Sequence, residues 1–323
     1  MMKNKNADKN ADKGVKVKNS WKTIMVMIVT VAIAVLMYIA IFGNGSGIQA
    51  SFTSEAEFES VKITQTSSGA LDKTTRANIT IQTGDEFLIT TDSQNGKETL
   101  ECTVEDGILT INLATSQDIL GEFFSSKSST ILITIPQSYQ IEAFSVKAEL
   151  GNFDFENISA ESFVFDGDNT IVDIVDCNFD SSIVASNLGN VSAYDTAFGE
   201  FTFTGGTSNP EFKNCTFGNF DCYIAFGNLL VSTAEIEEIN LTADMGYVDF
   251  SNITLAGDMY AYADYGAVVI SFDGDVSNFI LDCSISESGK YYLDENLQQG
   301  KDETLQQLTI KTYIGDIDVS FVE

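Results

Sequence analysis

The stretch LGNVSAY, residues 188–194, decides the fold because its pattern recurs elsewhere in the chain at fixed spacing. The same order of an apolar residue, Gly, Asn and an apolar run occurs before it as LGNFDFE and after it as FGNLLVS. The repeated glycines, Gly151, Gly189 and Gly227, are evenly spaced. A step of half that spacing leads on from Gly227 to Gly246, and a step longer by one then gives Gly266. The sequence therefore contains a short repeat that is half as long as the spacing between Gly189 and Gly227.

Several other positions repeat in the same register. The second and fourth residues after each glycine position are mostly apolar, as in Phe153 and Phe155. The sixth residue is usually Asn or Asp: Asn157, Asp176, Asp195, Asn214, Thr233 and Asn252. The ninth forms an apolar column: Phe179, Phe198, Phe217, Ile236 and Leu255. A second alternating run follows half a repeat later, so each unit has two short strands and two turns.

A repeat of this length predicts an all-β fold, a β-solenoid with coils of about 19–20 residues. Helical repeats need about 33 residues or more, which is longer than this repeat. In a β-solenoid each repeat forms one coil, and the next coil stacks ~4.8 Å above it. Glycine is expected at a corner that needs a positive φ or a close neighbour. The Asn/Asp column should hydrogen-bond to turn backbone, and the Phe column should stack in the core. The corner at Ser208, followed by NPEF, should be looser.

Two segments before the repeats show simpler signals. Residues 98–114 form two alternating runs around Glu-Asp-Gly, which is typical of a β-hairpin. Residues 116–129 interrupt the alternation and are expected to form a loop.

The N-terminal part of the chain predicts a membrane anchor. Residues 1–20 are a basic tail, and residues 21–43 are an apolar run long enough to cross a bilayer as a helix. A cleaved signal peptide is the alternative, but its apolar core is usually shorter and ends at small residues. Residues 44–58 are a linker, and residues 59–323 are the solenoid domain. The positive-inside rule then predicts a single-pass cell-membrane protein with a cytoplasmic N-terminus and an extracytoplasmic domain.

Charge limits the possible partners. The chain has a net charge of −30. Residues 1–51 carry seven Lys and two Asp, a charge of +5, which leaves −35 on residues 52–323. Such a domain repels nucleic acid, because phosphate binding needs Lys and Arg. Envelope polymers, cationic peptides and partner proteins remain possible, and the acidic surface could also serve solubility alone.

No residue is assigned a catalytic, cofactor-binding or metal-binding role. The chain has no His, which removes His-based metal sites and Ser-His-Asp chemistry. The five Cys lack a C-x-x-C pair and are expected to be free thiols that fill the core. Cys222 should share a column with Ala261 and Leu281. The DGD segments at residues 166–168 and 273–275 could hold calcium or could be ordinary acidic turns.

The sequence resembles a large family of proposed bacterial adhesins of unknown function, found in Gram-positive envelopes and often associated with envelope stress. The resemblance rests on STILITIPQSYQIEAFSVKAELGNFDFENISAESFVFDG, residues 129–167, in which a strand ends in Ile-Pro and Gly-x-apolar-x-apolar units follow. It covers residues 59–323. The chain departs from the pattern at Thr170 and Ser208 and in an insertion at residues 294–305. The resemblance implies a solenoid fold and a role in adhesion, stress sensing or scaffolding.

These observations favour a non-enzymatic, membrane-anchored envelope protein that acts as an adhesin-like binding or stress-response module. A self-associating structural rod is the first alternative, and a polysaccharide-active enzyme is the second. The C-terminal coil, residues 306–323, should have an exposed strand edge, which leaves end-to-end self-association or a cap as the two alternatives; Val319→Lys should abolish self-association there.

Overall fold

The computed structural model describes the chain between Ile48 and Val322, with gaps. The described ranges are 48–53, 58–68, 77–93, 98–116, 129–300 and 304–322. The predicted basic tail and anchor, residues 1–43, lie outside them, as does most of the predicted loop after residue 116. Within these ranges, none of the helices is long and apolar enough to cross a membrane.

Strands make up nearly all of the described chain, in keeping with the predicted all-β class. The N-terminal strands are β1 (Ile48–Phe52), β2 (Ser60–Ser68), β3 (Ala77–Gly84), β4 (Leu88–Ser93), β5 (Glu98–Glu105), β6 (Ile108–Ser116) and β7 (Ser129–Pro136). The central strands are β8 (Ile141–Glu156), β9 (Ser159–Val175), β10 (Asn178–Tyr194), β11 (Ala197–Ser208), β12 (Glu211–Lys213), β13 (Thr216–Phe226) and β14 (Leu229–Met245). The C-terminal strands are β15 (Val248–Leu255), β16 (Met259–Tyr265), β17 (Val268–Asp273), β18 (Phe279–Ser288), β19 (Tyr291–Leu293), β20 (Gln298–Gln299), β21 (Gln306–Ile314) and β22 (Ile317–Val322). A 3-10 turn, Val276–Asn278, precedes β18.

The repeat predicted from the sequence is the coil of a parallel solenoid. β9 pairs in parallel with β8 below it and with β10 above it, and each residue lies opposite its equivalent in the next repeat, as Val164 lies between Ser145 and Ile183. The shift becomes longer by one between β14 and β16, where Leu241 lies opposite Ala261. Each coil has a long leg before the glycine position and a short leg after it. The long legs form one sheet and the short legs form a second, and we call them the long-leg sheet and the short-leg sheet.

The core lies between these two sheets. Phe155 of a short leg packs edge-on against the long-leg residues Phe144 and Phe163, with ring centroids 5.8 and 5.1 Å away. The predicted Phe column is confirmed, since Phe198 and Phe217 stack at 5.2 Å with an interplanar angle of 8°. Aromatic rings each bury a large apolar area, so these columns dominate the stability of the stack.

Two kinds of corner connect the legs. At the glycine corner, the backbone of one coil approaches the next so closely that an added Cβ on Gly189 would lie 1.8 Å from the carbonyl oxygen of Thr170. At the other corner, the Asn/Asp column adopts positive φ, for example 56° at Asn157. Asn and Asp tolerate this left-handed conformation better than most residues. The strand is interrupted at Asn209–Pro210, between β11 and β12, which agrees with the looser corner predicted at Ser208.

The C-terminal end of the stack differs from the prediction. β21 pairs with both β16 and β18, and β22 pairs with both β17 and β19. The C-terminal strands therefore form the penultimate coil, and residues 279–293 form the outermost coil, which the two-residue strand β20 covers in part. The expectation that the strand edge at Val319 is exposed is wrong, because Val319 is 1% exposed and residues 317–319 of β22 pair with β17 on one side and with β19 on the other.

This insertion also changes the column that contains Cys222. Ala261 pairs with Ile310, which in turn pairs with Cys283. Leu281 belongs to the neighbouring column, opposite Leu308. Extending a column by a constant step in the sequence assumes that consecutive coils are neighbours in space. This assumption holds only from β8 to β17.

The N-terminal end has a similar arrangement. β2 lies between β6 and β8, and β3 lies between β7 and β8, so β2 and β3 belong to a penultimate coil at this end. The predicted hairpin is confirmed as β5–β6, with Asp106 and Gly107 at positive φ in its turn. β1 falls within the predicted linker but is an edge strand, antiparallel to β4.

Candidate binding groove on the long-leg sheet

A straight groove runs along the outer face of the long-leg sheet, towards its C-terminal end. It has a volume of about 440 Å³ and lies between two columns of side chains from β13, β14, β16 and β21. One column consists of Asn219, Glu238, Asp258 and Gln307, and the other consists of Asp221, Asn240, Tyr260 and Thr309. Because the coils are spaced ~4.8 Å apart, four of them give a groove ~14 Å long, parallel to the solenoid axis.

The side chains that project into this groove are polar, with the exception of the Tyr260 ring. Three carboxylates, Asp221, Glu238 and Asp258, face it without any Lys or Arg among the lining residues. The apolar lining residues Ile239 and Met259 point into the core and are 1% exposed. One Asp258 oxygen accepts a hydrogen bond from the Gln307 backbone N–H at 2.8 Å, which links β21 to the groove.

A second groove of about 300 Å³ adjoins the first and shares Asp221 and Asn240 with it. Its rim includes Tyr223, which is 39% exposed, compared with 40% for Tyr260. Together these two grooves present exposed aromatic rings beside amides, hydroxyls and carboxylates. We call this combined surface the binding groove.

Hydrogen bonds to carboxylates hold three tyrosines of the long-leg sheet in place, of which Tyr223 lines the binding groove. The hydroxyl donors and their acceptors are Tyr223 to Asp244 at 2.6 Å, Tyr262 to Asp264 at 3.1 Å, and Tyr313 to Glu287 at 2.9 Å. The bond to Asp244 raises the pKa of Tyr223, because it favours the protonated phenol. The Lys311 ammonium lies over the Tyr260 ring, 5.9 Å from its centroid. The surface therefore already contains one cation–π contact.

The family model for Toastrack DUF4097 matches residues 53–320, most of the chain. The chain belongs to the Toastrack DUF4097 family. The search of curated proteins found no match.

Three solved structures are similar to this Toastrack chain. A proposed cell adhesion protein from Clostridium sporogenes is 10% identical, with a TM-score of 0.22, and covers 85% of this chain and 100% of its own. A proposed adhesin from Bacteroides fragilis is 14% identical, with a TM-score of 0.42, and covers 85% and 96%. A proposed lipid-binding protein from Parabacteroides distasonis is 13% identical, with a TM-score of 0.38, and covers 87% and 98%. The family resemblance predicted from the sequence is confirmed by the family match over residues 53–320.

The two DGD segments of the Toastrack chain have protein partners. Asp168 accepts a hydrogen bond from the Asn187 side-chain amide at 2.7 Å, and Asp166 lies 3.8 Å from the exposed Lys147 ammonium. Asp275 caps the 3-10 turn by accepting from the Ser277 N–H at 2.9 Å. Over the described ranges, no group of three or more acidic or Cys side chains is arranged to hold a metal ion. Residues 166–168 lie within β9 and not in a turn as expected, whereas Asp275 lies at the turn before β18.

The five cysteines are free, as predicted, and two of them have an additional role. Cys177 Sγ accepts from the Ile158 N–H at 3.4 Å, and the Cys177 N–H donates to Thr196 Oγ1 at 3.3 Å. Thr196 Oγ1 and Cys177 Sγ also donate to carbonyls within their own coils. We call this column, which continues to Cys215, the thiol–hydroxyl ladder. It satisfies backbone groups at a corner and is more than apolar filling.

Burial makes these thiols poor nucleophiles. It raises the pKa of Cys177 and of Cys215 to about 11, so neither forms a thiolate readily at neutral pH. Burial likewise raises the pKa of Cys222.

The binding groove was not found from the sequence, although part of the signal was present. The sequence already placed Cys222 and Ala261 in one column, and their neighbours Asp221 and Tyr260 belong to the column beside it. These outward-facing columns mix acids, amides and tyrosines, so they lack the uniform residue type that revealed the core. The contribution of Gln307 depends on the insertion of β21, which a fixed sequence step does not reveal.

Proposed function

We propose that this Toastrack chain is a non-enzymatic binding module of the bacterial cell envelope. Residues 21–43 would anchor it in the cytoplasmic membrane, with the basic tail inside and residues 59–323 outside. The length of the apolar run and the +5 charge of residues 1–51 support this orientation.

The binding groove is the observation that carries the proposal. Its three carboxylates have no basic residue among the lining side chains, and Tyr223 and Tyr260 present exposed rings. A low-charge or cationic partner would gain from this field, whereas an anionic one would be repelled. The absence of His from the sequence and the buried, protonated thiols favour binding over catalysis.

The test is sedimentation of the full-length protein with purified cell walls, in nonionic detergent, across a salt series. The variant Asp221→Asn/Glu238→Gln removes two charges from the groove. The matched control, Glu156→Gln/Glu211→Gln, removes two charges from the short-leg sheet. We expect saturable retention that weakens with salt and is reduced in the groove variant only. No retention on the cell walls, or an equal loss in both variants, would refute the proposal.

A further inference from the structure

We propose that the binding groove recognises a linear glycan that carries primary ammonium groups, such as a polymer containing unacetylated amino sugars. This inference rests on the proposed function and specifies its ligand. It follows from three properties of the groove: its shape, its hydrogen-bonding groups and its charge.

The shape of the groove suits a linear chain. Its two columns come from four successive hydrogen-bonded levels of the long-leg sheet, so the side chains recur at one even spacing along a straight line. A polymer with a regular repeat can place equivalent groups against successive coils. A compact ligand would use one or two coils and leave the rest of the groove empty.

The hydrogen-bonding groups suit hydroxyls. Asn219, Asn240 and Gln307 each offer an amide donor and an amide acceptor, and Thr309 offers a hydroxyl. A sugar hydroxyl both donates and accepts, so mixed groups of this kind can satisfy it from either side. The exposed ring of Tyr260 provides an apolar surface for the C–H face of a sugar ring.

The charge of the groove requires a cationic or neutral glycan and favours a cationic one. Asp221, Glu238 and Asp258 lie on adjacent coils, and the nearby Lys311 ammonium is already placed over Tyr260. Uronic acids and phosphate-bearing polymers would add like charge to this cluster. Primary ammonium groups would instead pair with the carboxylates and relieve their mutual repulsion.

A cationic peptide fits the groove less well. The floor of the groove is the interior of a sheet, where β14 pairs with β13 on one side and with β16 on the other. No strand edge is therefore available for a peptide to extend the sheet. The apolar lining residues Ile239 and Met259 are 1% exposed and offer no pocket for apolar side chains. A peptide would be held by its Lys and Arg heads alone.

Three soluble probes of six units each separate the contributions of the sugar rings and of the ammonium groups in calorimetric titrations of the full-length protein. They are a glucosamine hexamer, which has sugar rings and ammonium groups, an N-acetylglucosamine hexamer, which has the rings without the charge, and hexalysine, which has the charge without the rings. We expect the glucosamine hexamer to bind at least about fivefold more tightly than either of the others, because both contributions are needed. Equal affinity for the acetylated hexamer would overturn the requirement for ammonium groups. Equal or tighter binding of hexalysine would overturn the glycan assignment.

Matched variants place the binding in the groove. Asp221→Asn/Glu238→Gln should weaken the glucosamine hexamer about fivefold and leave the acetylated one unchanged, whereas Glu156→Gln/Glu211→Gln should change neither. Tyr260→Ser should weaken both sugars, and Tyr292→Ser, at an exposed tyrosine outside the groove, should weaken neither. If both pairs behave alike, the groove is not the site. If the protein sediments with envelope material and binds none of the three probes, this inference fails while the proposed function stands.

Discussion

Replacing Gly246 by Ala should reveal how tightly the coils are stacked at the glycine corner. Gly246 has a φ of 149°, and an added Cβ would lie 1.6 Å from the carbonyl oxygen of Gly227. Ordinary contact begins near 3.4 Å, so the two coils must separate locally by about 2 Å. That movement would break the bonds from the Gly227 N–H to the Met245 carbonyl at 3.0 Å and from the Leu229 N–H to the Tyr247 carbonyl at 2.9 Å.

The magnitude follows from two contributions. The unfavourable φ costs about 1–3 kcal/mol for a non-glycine residue. Two disrupted backbone hydrogen bonds add about 1–3 kcal/mol each when their groups are left unpaired. Gly274→Ala is a matched control, because Gly274 has a φ of 154° with no atom within 4 Å of the added Cβ. Gly274→Ala should have only the cost of the unfavourable φ, so the free energies of unfolding of the two variants should differ by about 3 kcal/mol.

The assay is thermal and urea unfolding of both variants, followed by circular dichroism at one protein concentration. A difference of about 3 kcal/mol corresponds to a Tm lower by roughly 6–12 °C for Gly246→Ala than for Gly274→Ala. If the two variants unfold together, φ strain alone explains the glycine column. The close approach of neighbouring coils would then not be the reason for glycine at this corner.

Three further predictions concern the core and one half-buried carboxyl. Val319→Lys should destabilise the fold by about 3 kcal/mol or more, because it buries a charge in the penultimate coil. Val322→Lys should be nearly neutral, because the Val322 side chain is 49% exposed. Equal urea midpoints for the two variants would contradict the inserted position of β22. Thr196→Val should cost about 1–3 kcal/mol by removing the acceptor of the Cys177 N–H, and Thr196→Ser should restore most of it in the same unfolding assay. Burial, and after it the nearby Asp173 charge, raises the pKa of Asp154, so ionisation of this carboxyl opposes folding as the pH rises through the raised pKa. Asp154→Asn should therefore be more stable than wild type at pH 7, and this difference in stability should shrink below the ordinary pKa of Asp. A difference that does not change with pH would show that the pKa of Asp154 is not raised.

The sequence predicts the coil well because a solenoid converts sequence spacing directly into spatial neighbours. The glycine position, the left-handed Asn/Asp position and the Phe column each reflect one local requirement that every coil shares. A residue type that recurs once in each repeat, such as Phe179, Phe198 and Phe217, is then a stack in space. The hairpin at residues 98–114 is equally local, since Asp-Gly supplies both residues with positive φ in its turn.

What the sequence leaves undetermined is the order of coils at the two ends. After β17, the chain could stack its next strand directly or leave one level open, and both arrangements bury the same alternating face. In the structure, this level is occupied by β21 and β22, which pair with β16 and β17. In the sequence, the whole outermost coil lies between these partner strands. No local pattern marks such a choice, because the alternation of apolar and polar residues is identical in either position.

The order of the coils also explains why a surface site depends on the far end of the chain. Asn219, Glu238 and Asp258 come from coils that follow one another in sequence, but the fourth member of their column, Gln307, is brought there by the insertion of β21. Had residues 279–293 stacked directly on β16, Asp282 would occupy the position of Thr309 beside Tyr260. The insertion instead brings Thr309 next to Tyr260 and Lys311 over its ring, and it moves a further carboxylate one level away. The penultimate coil thus sets both the length of the binding groove and the balance of charge along it.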